Sequence, residues 1–202
     1  MKTLAARAIS IALILMAGAQ PSTASPASLS RDYPATLDLR HIPLGARTFA
    51  PFAYTRFCVL NPQDCERAAP TTADHHAVWK TVRTVNLHVN RTMRAVNESR
   101  ERWTAGGTQG DCEDFALTKR RELIRLGVPA SALRIATART AAGEGHAVLV
   151  VKTSAGDFIL DNLTNRIVHW NDSSLRWIKI ASAENPRVWH MIGQQSRPVV
   201  SS

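Results

Sequence analysis

The chain has 202 residues, 25 Lys plus Arg against 16 Asp plus Glu, 45% hydrophobic and 20% charged residues, and three cysteines. That length suits one domain of ordinary size and excludes a multi-domain machine; the apolar content fills one core and excludes a largely disordered chain. The net charge of +9 is compatible with anionic lipid headgroups, acidic peptides or polyanionic wall material, and does not choose among them.

In chain order, Lys2 and Arg7 precede an apolar run that ends in Ala17-Gly18-Ala19. This pattern predicts a secretory signal peptide over residues 1–19, because its apolar run of about ten residues falls short of the roughly 20 that span a bilayer. Lys2 and Arg7 are its only charged residues, so cleavage takes the net charge from +9 to +7. The expected location is periplasmic or secreted, with no transmembrane segment after cleavage. Basic and aromatic residues do not interleave as a base-stacking surface requires, so no nucleic-acid partner is expected. Residues 20–36, rich in Ser, Pro and Ala, read as a flexible leader, 37–195 as a single domain and 196–202 as a disordered tail.

Residues 36–70 carry scattered prolines and no clear period, and read as an extended, mostly irregular arm. Within it, Cys58 and Cys65 flank Asn61-Pro62, which bends the chain back and favours a local disulfide in an oxidising compartment. That leaves Cys112 unpaired. Thr71 and Asp74 form a capping-box-like pair before Val78, Val82, Val85, Val89, Met93 and Val96, whose steps of three and four mark a helix. A loop over 97–110 contains Trp103 and Gly106-Gly107. A second helix is expected over 112–126, with Asp111 as N-cap and Gly127 as its stop. Cys112, Phe115, Ala116, Leu123 and Leu126 share one arc of it; Lys119 falls inside that arc and is expected to run its head out to water.

Three strands follow over 133–140, 147–153 and 158–163, the last two joined as a hairpin through Ser154-Ala155-Gly156-Asp157, and shorter strands are expected near 167–170 and 177–180. Helices first and antiparallel strands after make an α+β plan.

A cysteine in the first turn of a helix feels unsatisfied N–H groups and the positive end of the dipole, both of which favour thiolate. An acyl-transfer nucleophile also needs a base, oriented by a third group. His146, opening a strand after a flexible run, and Asp161, in an apolar setting that demands a partner, are the candidates. A two-residue turn at Ala155-Gly156 would set His146 opposite Asn165, so a bulge or an offset turn is required to bring it to Asp161. Cys112, His146 and Asp161 are also chemically able to hold zinc, but no ligand spacing supports that. Trp103 or Gln109 could join the Cys112 N–H in an oxyanion hole.

Gly110-Asp111-Cys112-Glu113-Asp114-Phe115-Ala116, Gly145-His146-Ala147-Val148-Leu149 and Leu160-Asp161-Asn162-Leu163, in that order, resemble the bacterial transglutaminase-like cysteine peptidases. The segment from Phe57-Cys58 to Cys65 and Val89-Asn90-Arg91 look like that family's upstream portion, so the resemblance covers about 45–192. It implies a papain-like, transglutaminase-like core with N-terminal helices packed on an antiparallel sheet, Cys112 as nucleophile, His146 as base and Asp161 as orienter. The family includes periplasmic LapG-type proteases that clip surface adhesins, with calcium held by acidic residues beside the nucleophile. By motif position these are Asp111 and Glu113. The resemblance therefore implies a protein or peptide substrate, such as a cell-surface adhesin, and a calcium cofactor. Acyl transfer to an amine uses the same residues, and a non-catalytic binding protein on the same scaffold is the rival of another class.

Overall fold

The computed structural model describes residues 40–97 and 102–193; the signal peptide, leader and tail expected at 1–19, 20–36 and 196–202 lie outside the described residues. The first elements are β1 (Leu44–Thr48) and α1 (Phe52–Leu60), followed by a 3-10 turn at Pro62–Cys65. The expectation of an irregular arm is corrected here. Helix α1 carries apolar residues around much of its circumference, so it lacks the one-sided period that marks an amphipathic helix. Its Tyr54, Phe57 and Cys58 are buried, whereas Phe52, Val59 and Leu60 stay exposed.

Helix α2 (His75–Thr92) begins where expected, with the Asp74 carboxylate accepting from the Ala77 N–H at 2.8 Å. Thr71 takes no part in that cap; its own N–H donates to the Ser131 hydroxyl at 3.1 Å. A short parallel pair, β2 (Arg94–Ala95) and β3 (Gln109–Gly110), leads into α3 (Cys112–Arg125). Helix α3 ends at Gly127, whose φ of +88° suits a residue without a Cβ, and the Val128 N–H returns to the Leu123 carbonyl. Arg121 grips the Asp64 carboxylate with Nε at 3.1 Å and Nη2 at 2.6 Å, while Arg120 donates to the Asp64 and Leu133 carbonyls. These bonds anchor the 3-10 turn and its Cys58–Cys65 disulfide against α3.

The remaining strands are β4 (Leu133–Arg139), β5 (Gly145–Thr153), β6 (Gly156–Leu160), β7 (Val168–His169), β8 (Arg176–Ala181) and β9 (Trp189–Ile192). They form one antiparallel sheet with β1, in the order β1-β9-β8-β4-β5-β6-β7. Strands β1 and β9 were not expected from the sequence; both are short, and β9 alternates poorly. Strand β5 lies inside the sheet with both faces covered, which is why Val148 to Val151 is continuously apolar. Ala147, Leu149 and Val151 face the core built with Val82, Val85 and Val89 of α2 and Phe115 and Leu123 of α3. Val148 and Val150 face a second cluster with Ile159, Ile180, Ile42 and Trp170.

A laced segment closes that second face. Asp157 of β6, wholly buried, accepts from Arg134 Nη2 at 2.7 Å and from the Ile42 N–H at 2.9 Å, and its second oxygen meets His41 Nδ1 at 3.1 Å. Its own N–H donates to the Arg40 carbonyl. Gly156, at φ +132°, lets the chain pass there: a Cβ would sit 2.8 Å from the Arg40 carbonyl oxygen and from His169 Nε2.

Candidate active site

Gly110 and Asp111 bring the chain into α3 so tightly that a Cβ on Gly110 would lie 2.2 Å from Asp114 Oδ2. Asp114 is spent on this entry. Its Oδ2 accepts from the Asp111 N–H, and its Oδ1 accepts from the Thr104 N–H at 2.7 Å and hydroxyl at 3.0 Å. Burial raises the Asp114 pKa despite those donors. The arrangement sets Cys112 in the first turn, at the wall of a cavity of about 280 Å³ lined by Pro51, Trp103, Glu113, Thr137, His146 and Ile178 among others.

The sulfur has two close polar neighbours. The Ala147 N–H donates to Sγ at 3.3 Å, and the thiol donates to Glu113 Oε2 at 3.2 Å. Burial, then the Glu113 charge and that hydrogen bond, push the Cys112 pKa up to about 12 against the lowering effect of the Ala147 N–H. The expectation of an ionised thiol is corrected: in this arrangement burial and an adjacent carboxylate outweigh the helix start, and the resting group is S–H. Replacing Glu113 with glutamine removes the charge but keeps an acceptor. The alkylation profile of Cys112 with iodoacetamide should then move to lower pH, with a several-fold faster rate near pH 8, followed by mass spectrometry. An unshifted profile would show that burial alone holds the proton.

His146, at the start of β5, and Asp161, just past the end of β6, meet side by side. His146 Nε2 lies 2.8 Å from Asp161 Oδ1, which also accepts from the Leu163 N–H at 2.9 Å. The turn at Ser154-Ala155 pairs Thr153 with Gly156 and Leu149 with Leu160. One further step of that register sets Val148 opposite Asp161, and His146 becomes its diagonal neighbour on the same side. Diagonal positions are within reach of long side chains, so an offset turn suffices and no bulge is needed in this pair. Burial would raise the Asp161 pKa, but the His146 bond and charge, the Leu163 N–H and Lys119 together hold it below the usual carboxylate range.

Lys119 corrects another expectation. Its side chain is fully buried, and Nζ donates to the Asp161 main-chain carbonyl at 3.0 Å. Asn90 of α2 donates to the same oxygen at 2.9 Å. The sequence signal lies in Lys119 sitting on the inner arc of α3, seven residues from Cys112, where a solvated head has no route to water.

Of the two oxyanion candidates, Trp103 lines the cavity and its buried indole N–H has no acceptor among the described residues. Gln109 is turned elsewhere, with its Oε1 accepting from Arg94 Nη2, and it does not line the cavity.

A family model for the bacterial transglutaminase-like cysteine proteinases, BTLCP, matches residues 44–197. The chain belongs to this family. It is accordingly a cysteine peptidase of the transglutaminase-like class, and its helices on an antiparallel sheet match the fold of a solved relative. Calcium-bound Legionella pneumophila LapG aligns with a TM-score of 0.50 and 25% identity, covering 72% of this chain and 82% of that one. EGTA-treated L. pneumophila LapG aligns with a TM-score of 0.49 and 24% identity, covering 73% and 84% respectively. No curated protein matches the chain.

The BTLCP chain does not gather a metal cage among its described residues, where no three His, Cys, Asp or Glu side chains converge as a metal set. Calcium takes six to eight oxygens. Of the motif carboxylates, Glu113 is engaged by the thiol and Asp114 by Thr104, so an ion held by Asp111 and Glu113 would take its further oxygen ligands from elsewhere. No helix among the described residues is long and apolar enough to cross a membrane.

Proposed function

We propose that this BTLCP enzyme is an exported peptidase that cleaves a protein substrate through Cys112, His146 and Asp161. The observation that carries the reading is the 2.8 Å contact of His146 Nε2 with Asp161, at a cavity that His146 shares with Cys112. With Nε2–H held by the carboxylate, Nδ1 is the nitrogen left to take the thiol proton, and it has no partner among the described residues. The sulfur attacks the scissile carbonyl, the amide C–N bond breaks, and the imidazolium returns its proton to the departing amine. Water then attacks the thioester, His146 takes its proton, and the thiol is released with a carboxylic acid product. The Cys112 N–H at the helix start and the Trp103 indole N–H are the donors proposed for the oxyanion.

Because the thiol rests protonated, the base must act during the attack rather than before it, which makes His146 indispensable. Calcium-bound LapG supplies the precedent for that ion, and a cell-surface adhesin is the substrate class the family resemblance suggests. p-Nitrophenyl acetate tests the reading without the natural substrate. The chain should release a burst of p-nitrophenol and gain one acetyl group on Cys112, and Cys112→Ala or His146→Ala should abolish both. An acetyl group found elsewhere, or a full burst from either variant, sinks the assignment. Release of free acid in the presence of an added primary amine separates hydrolysis from transamidation.

A further inference from the structure

Helix α3 delivers two functional groups on one side. Cys112 stands in its first turn, and Lys119 stands two turns on. The ammonium is fully buried, although a lysine in such a place costs considerable solvation and an apolar side chain of similar length would pack there without that cost. The bond it makes is specific. Nζ donates to the main-chain carbonyl of Asp161 at 3.0 Å, and Asn90 Nδ2, from α2, reaches the same oxygen at 2.9 Å. Asn90 also bonds the Thr164 carbonyl and Asn165 Oδ1, so two helices grip the segment that leaves β6.

Asp161 has just left the sheet. The ladder between β5 and β6 stops at Leu149 and Leu160, so no strand pairing holds the Asp161 backbone. Its carboxylate must nevertheless stay on His146 Nε2.

We infer that Lys119 is a positioning residue of this site: its ammonium, together with the Asn90 amide, clamps the Asp161 carbonyl and thereby keeps the carboxylate seated on His146. The inference rests on the triad reading above. Electrostatics support it from both sides. Burial brings the Lys119 pKa down to about 7, offset by Asp161, and Lys119 in turn helps to keep Asp161 ionised. Asp161 is the charged group that faces the ammonium, with His146 of β5 behind that carboxylate and the neutral Asn90 presented by α2.

The test uses the full-length oxidised chain, p-nitrophenyl acetate as acyl donor, and the proton resonance of His146 Nε2–H. Lys119→Met should slow the burst on the order of tenfold to hundredfold, as expected when a reacting group loses its alignment. The Nε2–H signal should broaden or vanish while the cooperative melt persists. Asn90→Ala, which removes the other donor, should weaken both in the same direction. If Cys112→Ala still shows the burst, the triad reading itself falls. If Cys112→Ala abolishes it while a folded Lys119→Met keeps both the rate and the resonance, only the clamp is overturned. Should Lys119→Met not fold, the Nζ ammonium resonance of the unmodified chain decides. A slowly exchanging signal that moves on His146→Ala supports the clamp, and a freely exchanging one overturns it.

Discussion

Changing Asp161 to asparagine should lower kcat by about 10³- to 10⁴-fold, the scale seen when the orienting carboxylate of a hydrolytic triad becomes an amide. The substitution is isosteric, and turning the amide costs at most the Leu163 N–H bond to the same atom, so the melting temperature should fall by only a few degrees. What is lost is the charge. An amide can turn its NH₂ toward Nε2, which places the imidazole proton on Nδ1 and removes the lone pair that the Cys112 proton needs. The imidazolium formed during attack also loses its counter-ion, and Lys119 loses the anion that offsets its burial. In the unchanged enzyme the Asp161 pKa is depressed, so its support is present above the ordinary carboxylate pKa and is lost only as pH falls through the lower folded value. The measurement is kcat for the cleaved polypeptide alongside a thermal melt. A variant retaining more than a tenth of the turnover would remove Asp161 from the mechanism.

The second large effect lies at the other end of β6, at Asp157, and concerns stability alone. Replacing Asp157 with alanine should destabilise the fold by about 3–5 kcal/mol, because it leaves the Arg134 guanidinium buried without its anion. It also strips the Ile42 N–H of its acceptor. For a chain of this size that corresponds to a fall in Tm of about 10 °C, readable by calorimetry or urea titration. Adding Arg134→Met should recover part of the loss, since removing both charges leaves neither stranded, whereas additive losses would mean the two do not interact. The triad is remote in chemistry from this network, so the burst with p-nitrophenyl acetate below the melt should be unaffected by the single change.

Which features the sequence revealed follows from how strongly single residues dictate local structure. Asp74 and Gly127 mark helix ends because capping and positive φ are properties of one residue and its immediate neighbours. The apolar run in β5 reported a strand covered on both sides. Helix α1 was hidden because its apolar residues are not confined to one face. Strand β1 owes its existence to β9, a partner far along the chain, and β9 is held between β1 and β8. At the site, the helix start placed Cys112 correctly, but the protonation state depended on burial and on the side-chain rotamer of Glu113, which spacing does not encode. The hairpin register missed by the shift of one turn residue, and that shift is what makes His146 and Asp161 diagonal neighbours. Lysine heads ordinarily reach water, and Lys119 is an exception because the Asp161 carbonyl, distant in sequence, lies within reach of its ammonium.

The contact between the Cys112 thiol and Glu113 has a bearing on survival under oxidative stress. Peroxide attack and thiol–disulfide exchange both proceed through the thiolate, and a group with its pKa near 12 offers very little of it at neutral pH. In the folded chain Cys112 is therefore a poor target for sulfenylation. A thiol that gives up its proton only at the moment of reaction can wait among oxidants without being consumed by them.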